Sequence, residues 1–194
     1  MRLQDAVALV VLWLQLWIPL FWLVVHPAIG FWRRYPRACY YGLLPVMVLA
    51  TGAGLWLPYE WWLETRFTQH GLATLGGLAL IGTDLWLMRR VERELGWRVL
   101  VGLPELMPAS HRADVAAGGI YERVRHPRYL GMILSWLGAA LLTGATRLLA
   151  LVAVFLGLAW LVMELEEREL LKRLGEPYAD YRRRVPRLVP RPRT

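Results

Sequence analysis

Residues 6–25 form an unbroken run of twenty uncharged, mostly apolar residues, and this run limits what the chain can fold into more than any other feature. At 1.5 Å rise per residue, about 20 helical residues cross the roughly 30 Å hydrocarbon layer of a bilayer. Within that layer every backbone polar group must be paired inside the chain, which leaves helices and closed barrels. The run is too long for the apolar core of a signal peptide, and no A-x-A-like cleavage site follows it. It is expected to be a spanning helix, Pro19 included.

Four more apolar blocks follow. Residues 40–57 and 71–88 are interrupted only by Pro45 and Asp84; residues 129–142 make a shorter block, and residues 148–163 return after the tight Thr143-Gly144-Ala145-Thr146 turn. The fold class expected is all-α: an integral membrane helical bundle of about five transmembrane helices, the fourth and fifth paired as a helical hairpin, with a cytoplasmic C-terminal helix. Small residues at Gly131, Gly138, Ala139, Ala140, Gly144 and Gly157 are expected to let the hairpin helices approach closely. Trp56, Tyr59, Trp61 and Trp62 gather at one span end, where aromatic rings favour the headgroup layer.

The net charge of +8 comes from 22 arginines and the single Lys172. Arg33, Arg34 and Arg37 follow the first block. Arg89, Arg90, Arg93, Arg98, Arg112, Arg123, Arg125 and Arg128 follow the third, and Arg182, Arg183, Arg184, Arg187, Arg191 and Arg193 fill the tail. The other two connections carry only Arg66 and Arg147. This alternation is the positive-inside pattern, with the N-terminus outside and the tail in the cytoplasm, as in a bacterial inner membrane. It argues against a nucleic-acid surface. The Arg/Pro tail, residues 182–194, is expected to lie as an irregular strap on anionic lipid. One cysteine, Cys39, allows neither an internal disulfide nor a thiolate metal site, and no metal is expected.

Two polar constellations fall on the same side. The segment Tyr121-Glu122-Arg123-Val124-Arg125-His126-Pro127-Arg128-Tyr129 leads into the fourth block, and Glu166-Glu167 leave the fifth. In a hairpin those ends are neighbours, so His126 is expected close to Glu166 or Glu167. Pro127 suits the first turn of a helix, whose free N–H groups favour an anion. The two glutamates offer the opposite field, suited to an ammonium or a sulfonium, so the pair could grip a zwitterion by both ends. From the residues alone this site and a bland reading, interfacial anchors plus a solvated acidic helix start, stand level. Asp84 is a second candidate, since an acid inside a span marks a function unless it merely bonds Thr83 or a neighbouring helix. His26, His70 and His111 stand at segment edges without metal-ligand spacing and read as anchors. No nucleophile has an adjacent base, which removes support for covalent catalysis.

The order Arg125-His126-Pro127-x-Tyr129-x-Gly131, hairpin, Glu166-Glu167, Leu174-Gly175-x-x-Tyr178-x-x-Tyr181, Val185-Pro186 resembles the integral-membrane methyltransferases, which include isoprenylcysteine carboxyl methyltransferases and phospholipid N-methyltransferases. The likeness covers residues 95–190. It divides the chain into N-terminal spans, residues 1–88, and a cofactor-binding core, residues 89–194. The resemblance implies S-adenosylmethionine bound at the cytoplasmic ends of the last helices by Tyr121, Arg125, His126, Pro127, Tyr129, Gly131, Glu166 and Glu167, with Gly119 nearby. It also implies a lipophilic acceptor near Tyr178, Tyr181 and Val162, and chemistry at Glu167 and His126. The isoprenylcysteine branch has an arginine where this chain has Val162, four residues before the acidic pair. That departure disfavours a carboxylate acceptor and favours a phospholipid amine headgroup; the carboxyl O-methyltransferase stays an alternative. Rival readings are an NADPH-dependent reductase of the sterol-reductase type and a membrane scaffold without a cofactor. No obligate protein partner is expected.

Overall fold

A computed structural model of the chain describes residues 1–67, 71–110 and 115–190; His70, His111, Arg112, Arg191 and Arg193 fall outside the described residues. In chain order the helices are α1 (Leu3–Val25), α2 (Ile29–Arg34), α3 (Pro36–Ala38), α4 (Leu44–Trp56), α5 (Tyr59–Leu63), α6 (Gly71–Leu95), α7 (Trp97–Leu100), α8 (Leu103–Leu106), α9 (Pro127–Thr143), α10 (Thr146–Leu174) and α11 (Glu176–Arg184). A π-helical turn, Cys39–Leu43, joins α3 to α4, so Pro36–Trp56 runs as one helical rod. Among the described residues there is no β-strand, only an isolated bridge between Arg66 and Ala145. The architecture is the all-α membrane bundle that the apolar blocks imply.

Among the described residues, four helices are long and apolar enough to cross a membrane: Leu3–Val25, Pro36–Trp56, Gly71–Leu95 and Thr146–Leu174. The fourth apolar block forms α9, which has 17 residues and therefore reaches only about 26 Å. Twelve of those 17 residues are buried, because α9 lies inside the bundle against α1, α6 and α10. A helix sheathed in protein needs less length and hydropathy than one facing lipid.

The small residues of α9 have a different partner from the one expected. α9 and α10 do form a hairpin, joined by Gly144, whose positive φ of 71° caps α9, and Ala145. The close approach, however, is to α6. A methyl group built at Gly138 would stand 2.6 Å from the Gly77 carbonyl oxygen, and one at Gly77 would stand 2.7 Å from the Gly138 carbonyl oxygen. The two backbones touch directly across that pair of glycines, as small residues permit between membrane helices. Gly157 on α10 has nothing within 4 Å of such a methyl and takes no part.

Charges inside the bundle are paired. At the end where α1 begins and α9 finishes, buried Asp5 meets Arg2 at 3.1 Å and Arg66 at 2.9 Å, and both arginines also donate to the Thr143 carbonyl. Midway along, Asp84 accepts from Gln15 Nε2 at 2.7 Å, and Gln15 Oε1 accepts from Ser135 at 2.9 Å. Asp84 thus ties α6 to α1, while Thr83 bonds the Ala79 carbonyl in its own helix. The opposite end of the bundle, where α1, α6 and α10 finish and α9 starts, carries the second polar constellation.

Candidate functional site

The segment before α9 is held in place from the chain's tail. Pro127 occupies the first turn of α9, where a missing N–H costs nothing, and His126 caps it. Just before that turn, the Arg125 N–H donates to the Pro186 carbonyl at 2.9 Å and the His126 N–H to the Arg187 carbonyl at 3.1 Å. Residues 185–187 therefore run alongside the Arg-His-Pro segment. For residues 182–187 this corrects the expectation of an irregular strap: α11 takes up Arg182–Arg184, and Arg187 turns inward to the glutamates of α10. The reason is electrostatic, since buried carboxylates nearby compete with lipid phosphates for the same guanidinium.

Glu167 is the centre of that competition. It sits mid-helix in α10 with no exposed surface. Its Oε1 accepts from Arg125 Nη2 at 2.9 Å, Arg187 Nε at 3.0 Å and pairs with His126 Nε2 at 3.0 Å. Its Oε2 accepts from Arg187 Nη2 at 2.9 Å, with Arg182 Nε at 3.2 Å. Arg125 also donates to the carbonyls of Arg182 and Val185. Arg187 bonds Glu164 at 2.8 Å and lies 4.5 Å from the Trp160 ring centroid. One carboxylate thus joins α9, α10, α11 and the tail.

Glu166 points elsewhere. Its Oε2 is 3.8 Å from His126 Nδ1, and it lines a cavity of about 130 Å³ together with Tyr121, His126, Tyr129, Tyr178 and Tyr181. The apolar part of the wall comes from Leu95, Leu100, Val115, Ala116 and Leu170. Tyr181 donates its hydroxyl to the Tyr121 carbonyl at 2.9 Å, locking α11 over the segment before α9. Burial pushes the Tyr121, Tyr178 and Tyr181 phenols up, so they stay protonated.

Of the residues singled out in the sequence, Tyr121, Arg125, His126, Pro127, Tyr129, Glu166, Tyr178 and Tyr181 line this cavity. Glu167 stands behind it. Val162 is enclosed in the apolar core, and Gly131 faces Asp84 of α6, where an added methyl would lie 2.4 Å from Oδ1. Gly119, at φ 59°, leaves room for the Glu94 carboxylate, which accepts the Ile120 N–H at 2.9 Å.

The cavity also recruits residues outside those motifs. Trp22 and His26 come from the end of α1, Glu105 from α8, and Arg173 from α10. Glu105 Oε1 pairs with Arg173 at 3.2 Å, and Arg173 in turn holds Glu169, which also receives Arg33 at 2.6 Å. Burial raises the Glu105 carboxyl to about 7, with Arg173 pulling the other way. Among the described residues, four buried side-chain polar atoms have no hydrogen-bond partner, and three of them, His26 Nδ1, Glu105 Oε2 and Arg128 Nε, belong to residues lining this cavity. Buried polar groups are normally satisfied, so a ligand with both charges and hydrogen-bonding groups suits this wall.

A second, wider cavity of about 1010 Å³ shares Trp22, Leu100 and Arg128 with the first. Trp17, Phe21, Tyr40, Tyr41 and Trp97 make its wall largely aromatic.

Comparison with known proteins places this arrangement. The phospholipid methyltransferase family matches residues 72–176, more than half of the chain and all of the stretch from α6 through the acidic pair. The chain belongs to the phospholipid methyltransferase family. Within it, the chain is 38% identical over 163 residues to the methanethiol S-methyltransferase of Mycobacterium tuberculosis, covering 83% of this chain and 57% of that protein. It is 32% identical over 127 residues to methanethiol S-methyltransferase 2 of Bradyrhizobium diazoefficiens, covering 57% and 48%. The methanethiol S-methyltransferase of Pseudomonas deceptionensis is 28% identical over 162 residues, covering 77% and 58%. The chain spans about half the length of the curated relatives it matches. No solved structure gives a significant match.

Proposed function

We propose that this family member transfers a methyl group from S-adenosylmethionine to a small thiol at the cytoplasmic face of the membrane. The observation that carries the donor half is the cavity wall, where carboxylates, an imidazole and a guanidinium stand with unpartnered atoms beside an apolar face. Glu166 and Glu105 supply the negative field that suits ammonium and sulfonium charge, Arg128 and His126 suit a carboxylate, and the leucines and tyrosines suit a flat aromatic ring. When bound, S-adenosylmethionine supplies an electrophilic methyl on a positively charged sulfur.

The chain's own contribution is alignment and exclusion of water, because transfer disperses charge rather than creating it. Arg125 and His126 are positioned by Glu167, whose two oxygens are both committed to cationic partners. That commitment favours a positioning role for Glu167 over proton transfer. The thiol half rests on the names of the relatives.

An amine headgroup of a phospholipid is the second reading, favoured by the wide aromatic cavity next door. The test is purified protein in detergent with methyl-labelled donor, offered methanethiol or phosphatidylethanolamine vesicles. Labelled dimethyl sulfide is expected; label confined to the lipid extract reassigns the acceptor, and label in neither overturns the activity.

A further inference from the structure

His26 belongs to none of the segments that carry the family resemblance, yet it lines the cavity and carries a buried ring nitrogen without a hydrogen-bond partner. It ends α1 as its C-cap, donating its backbone N–H to the Trp22 carbonyl at 2.9 Å. Its ring stacks on the Trp22 indole at 4.9 Å between centroids and 27° between planes, which fixes where the ring nitrogens point. Nδ1 is buried and has no partner, on a residue that lines the cavity with Glu166 and His126. Trp22, against which it rests, also forms part of the wider aromatic cavity. An imidazole nitrogen without a partner is free to accept or donate one hydrogen bond according to its tautomer.

Several other candidates for proton transfer are engaged, whereas Glu105 Oε2 is not and Glu166 has only a long contact to His126. His126 Nε2 is paired with Glu167, and Glu167 holds arginines on both oxygens. The phenols of Tyr121, Tyr178 and Tyr181 stay protonated. Burial holds His26 toward its neutral, proton-accepting form, while Glu166 and Glu169 of α10 pull the other way. The remaining charged groups on this cavity are Glu105 from α8, Arg173 from α10, and Arg125 and Arg128 around the start of α9.

We infer that His26 is a catalytic residue, its Nδ1 accepting the proton of the acceptor thiol during methyl transfer. The inference rests on the thiol reading above. The S–H bond breaks, its electron pair stays on sulfur, and the proton passes to Nδ1. The thiol sulfur uses that pair to form the new S–C bond as the donor's S–C bond breaks, leaving the departing pair on the donor sulfur as a neutral thioether. The imidazolium returns its proton to solvent.

The experiment compares wild type and His26→Gln in detergent with two acceptors across pH 6 to 10. Methanethiol is protonated at neutral pH; thiophenol is largely ionised there and needs no base. With methanethiol at pH 7 the variant is expected to lose about 10²–10⁴-fold in turnover, and the gap closes as pH rises. With thiophenol the loss stays within about threefold, as does the change in S-adenosylhomocysteine affinity measured by calorimetry, since neither needs a general base. Equal losses with both thiols, a gap that does not change with pH, or no loss at all overturns the inference. Should the variant not bind S-adenosylhomocysteine, His26→Asn is measured in its place and the same outcomes support or overturn the inference. A wild type that methylates neither thiol overturns the thiol reading itself, and His26's role with it.

Discussion

Replacing Glu167 with glutamine separates the two adjacent acids by what each is for. Glu167 has no exposed surface and faces Arg125, Arg187, Arg182 and His126, all within 3.2 Å. The amide keeps the shape but removes the charge, leaving several cationic groups in a confined space. Breaking a buried ion pair by removing one partner costs about 3–5 kcal/mol, and the half-exposed Arg182 adds little to that because solvent screens it. For a chain of this size each kcal/mol moves the thermal midpoint by about 2–4 °C, so a drop of about 10 °C is expected. Glu166 has a third of its side chain exposed and only a long contact to His126. Glu166→Gln should therefore leave the midpoint within about 2 °C while weakening S-adenosylhomocysteine binding at least tenfold. The assays are thermal unfolding in detergent and calorimetric titration on the same preparations. A Glu167→Gln protein that unfolds at the wild-type temperature, or a Glu166→Gln protein that binds normally, refutes the division of labour.

Three further outcomes are expected. Gly138→Ala forces a methyl against the Gly77 carbonyl and should cost about 1–3 kcal/mol, whereas Gly157→Ala has open space and should be neutral or slightly stabilising by thermal unfolding. Glu105 titrates near 7 when folded and near 4.5 when unfolded, so the folded state holds the extra proton between those values and stability falls as pH rises through them. The midpoint of wild type should decline from pH 5 to pH 8 by the equivalent of about 3 kcal/mol, and that of Glu105→Gln should not. Arg187→Ala removes the link from the tail to Glu164 and Glu167, and limited proteolysis should then cut within residues 185–190 much faster than in wild type.

The membrane helices were legible because a lipid-facing helix must be apolar along its whole length, as residues 6–25 are. α9 was harder, since burial against protein relaxes that demand, and which neighbour its glycines face depends on the rotation of α6, which no local pattern encodes. The site was readable where a motif concentrates unusual residues, as in Arg125-His126-Pro127 and Glu166-Glu167. The different surroundings of the two glutamates were not, because adjacent positions on a helix point about 100° apart and only packing decides which one meets the cavity. Glu105, Arg173 and Arg187 look like ordinary charged residues in ordinary company. His26 had one signal, a histidine beside a proline at the end of a span, and that pattern is equally the mark of an anchor. The inward turn of the tail left no trace in composition, since arginines that seek lipid and arginines that seek buried carboxylates are spelled the same way.

The docking of residues 185–187 on the segment before α9 also sets an order of events at birth. Glu167 leaves the ribosome 20 residues ahead of Arg187, which at 5–20 residues per second is about 1–4 s. Arg125, made 42 residues before Glu167, is available at once. During that interval the acid has Arg125 and His126 as partners, while the segment that pairs with the backbone before α9 has yet to be made. The contact between residues 185–187 and the segment before α9 therefore forms only after the helices that it ties together have been synthesised.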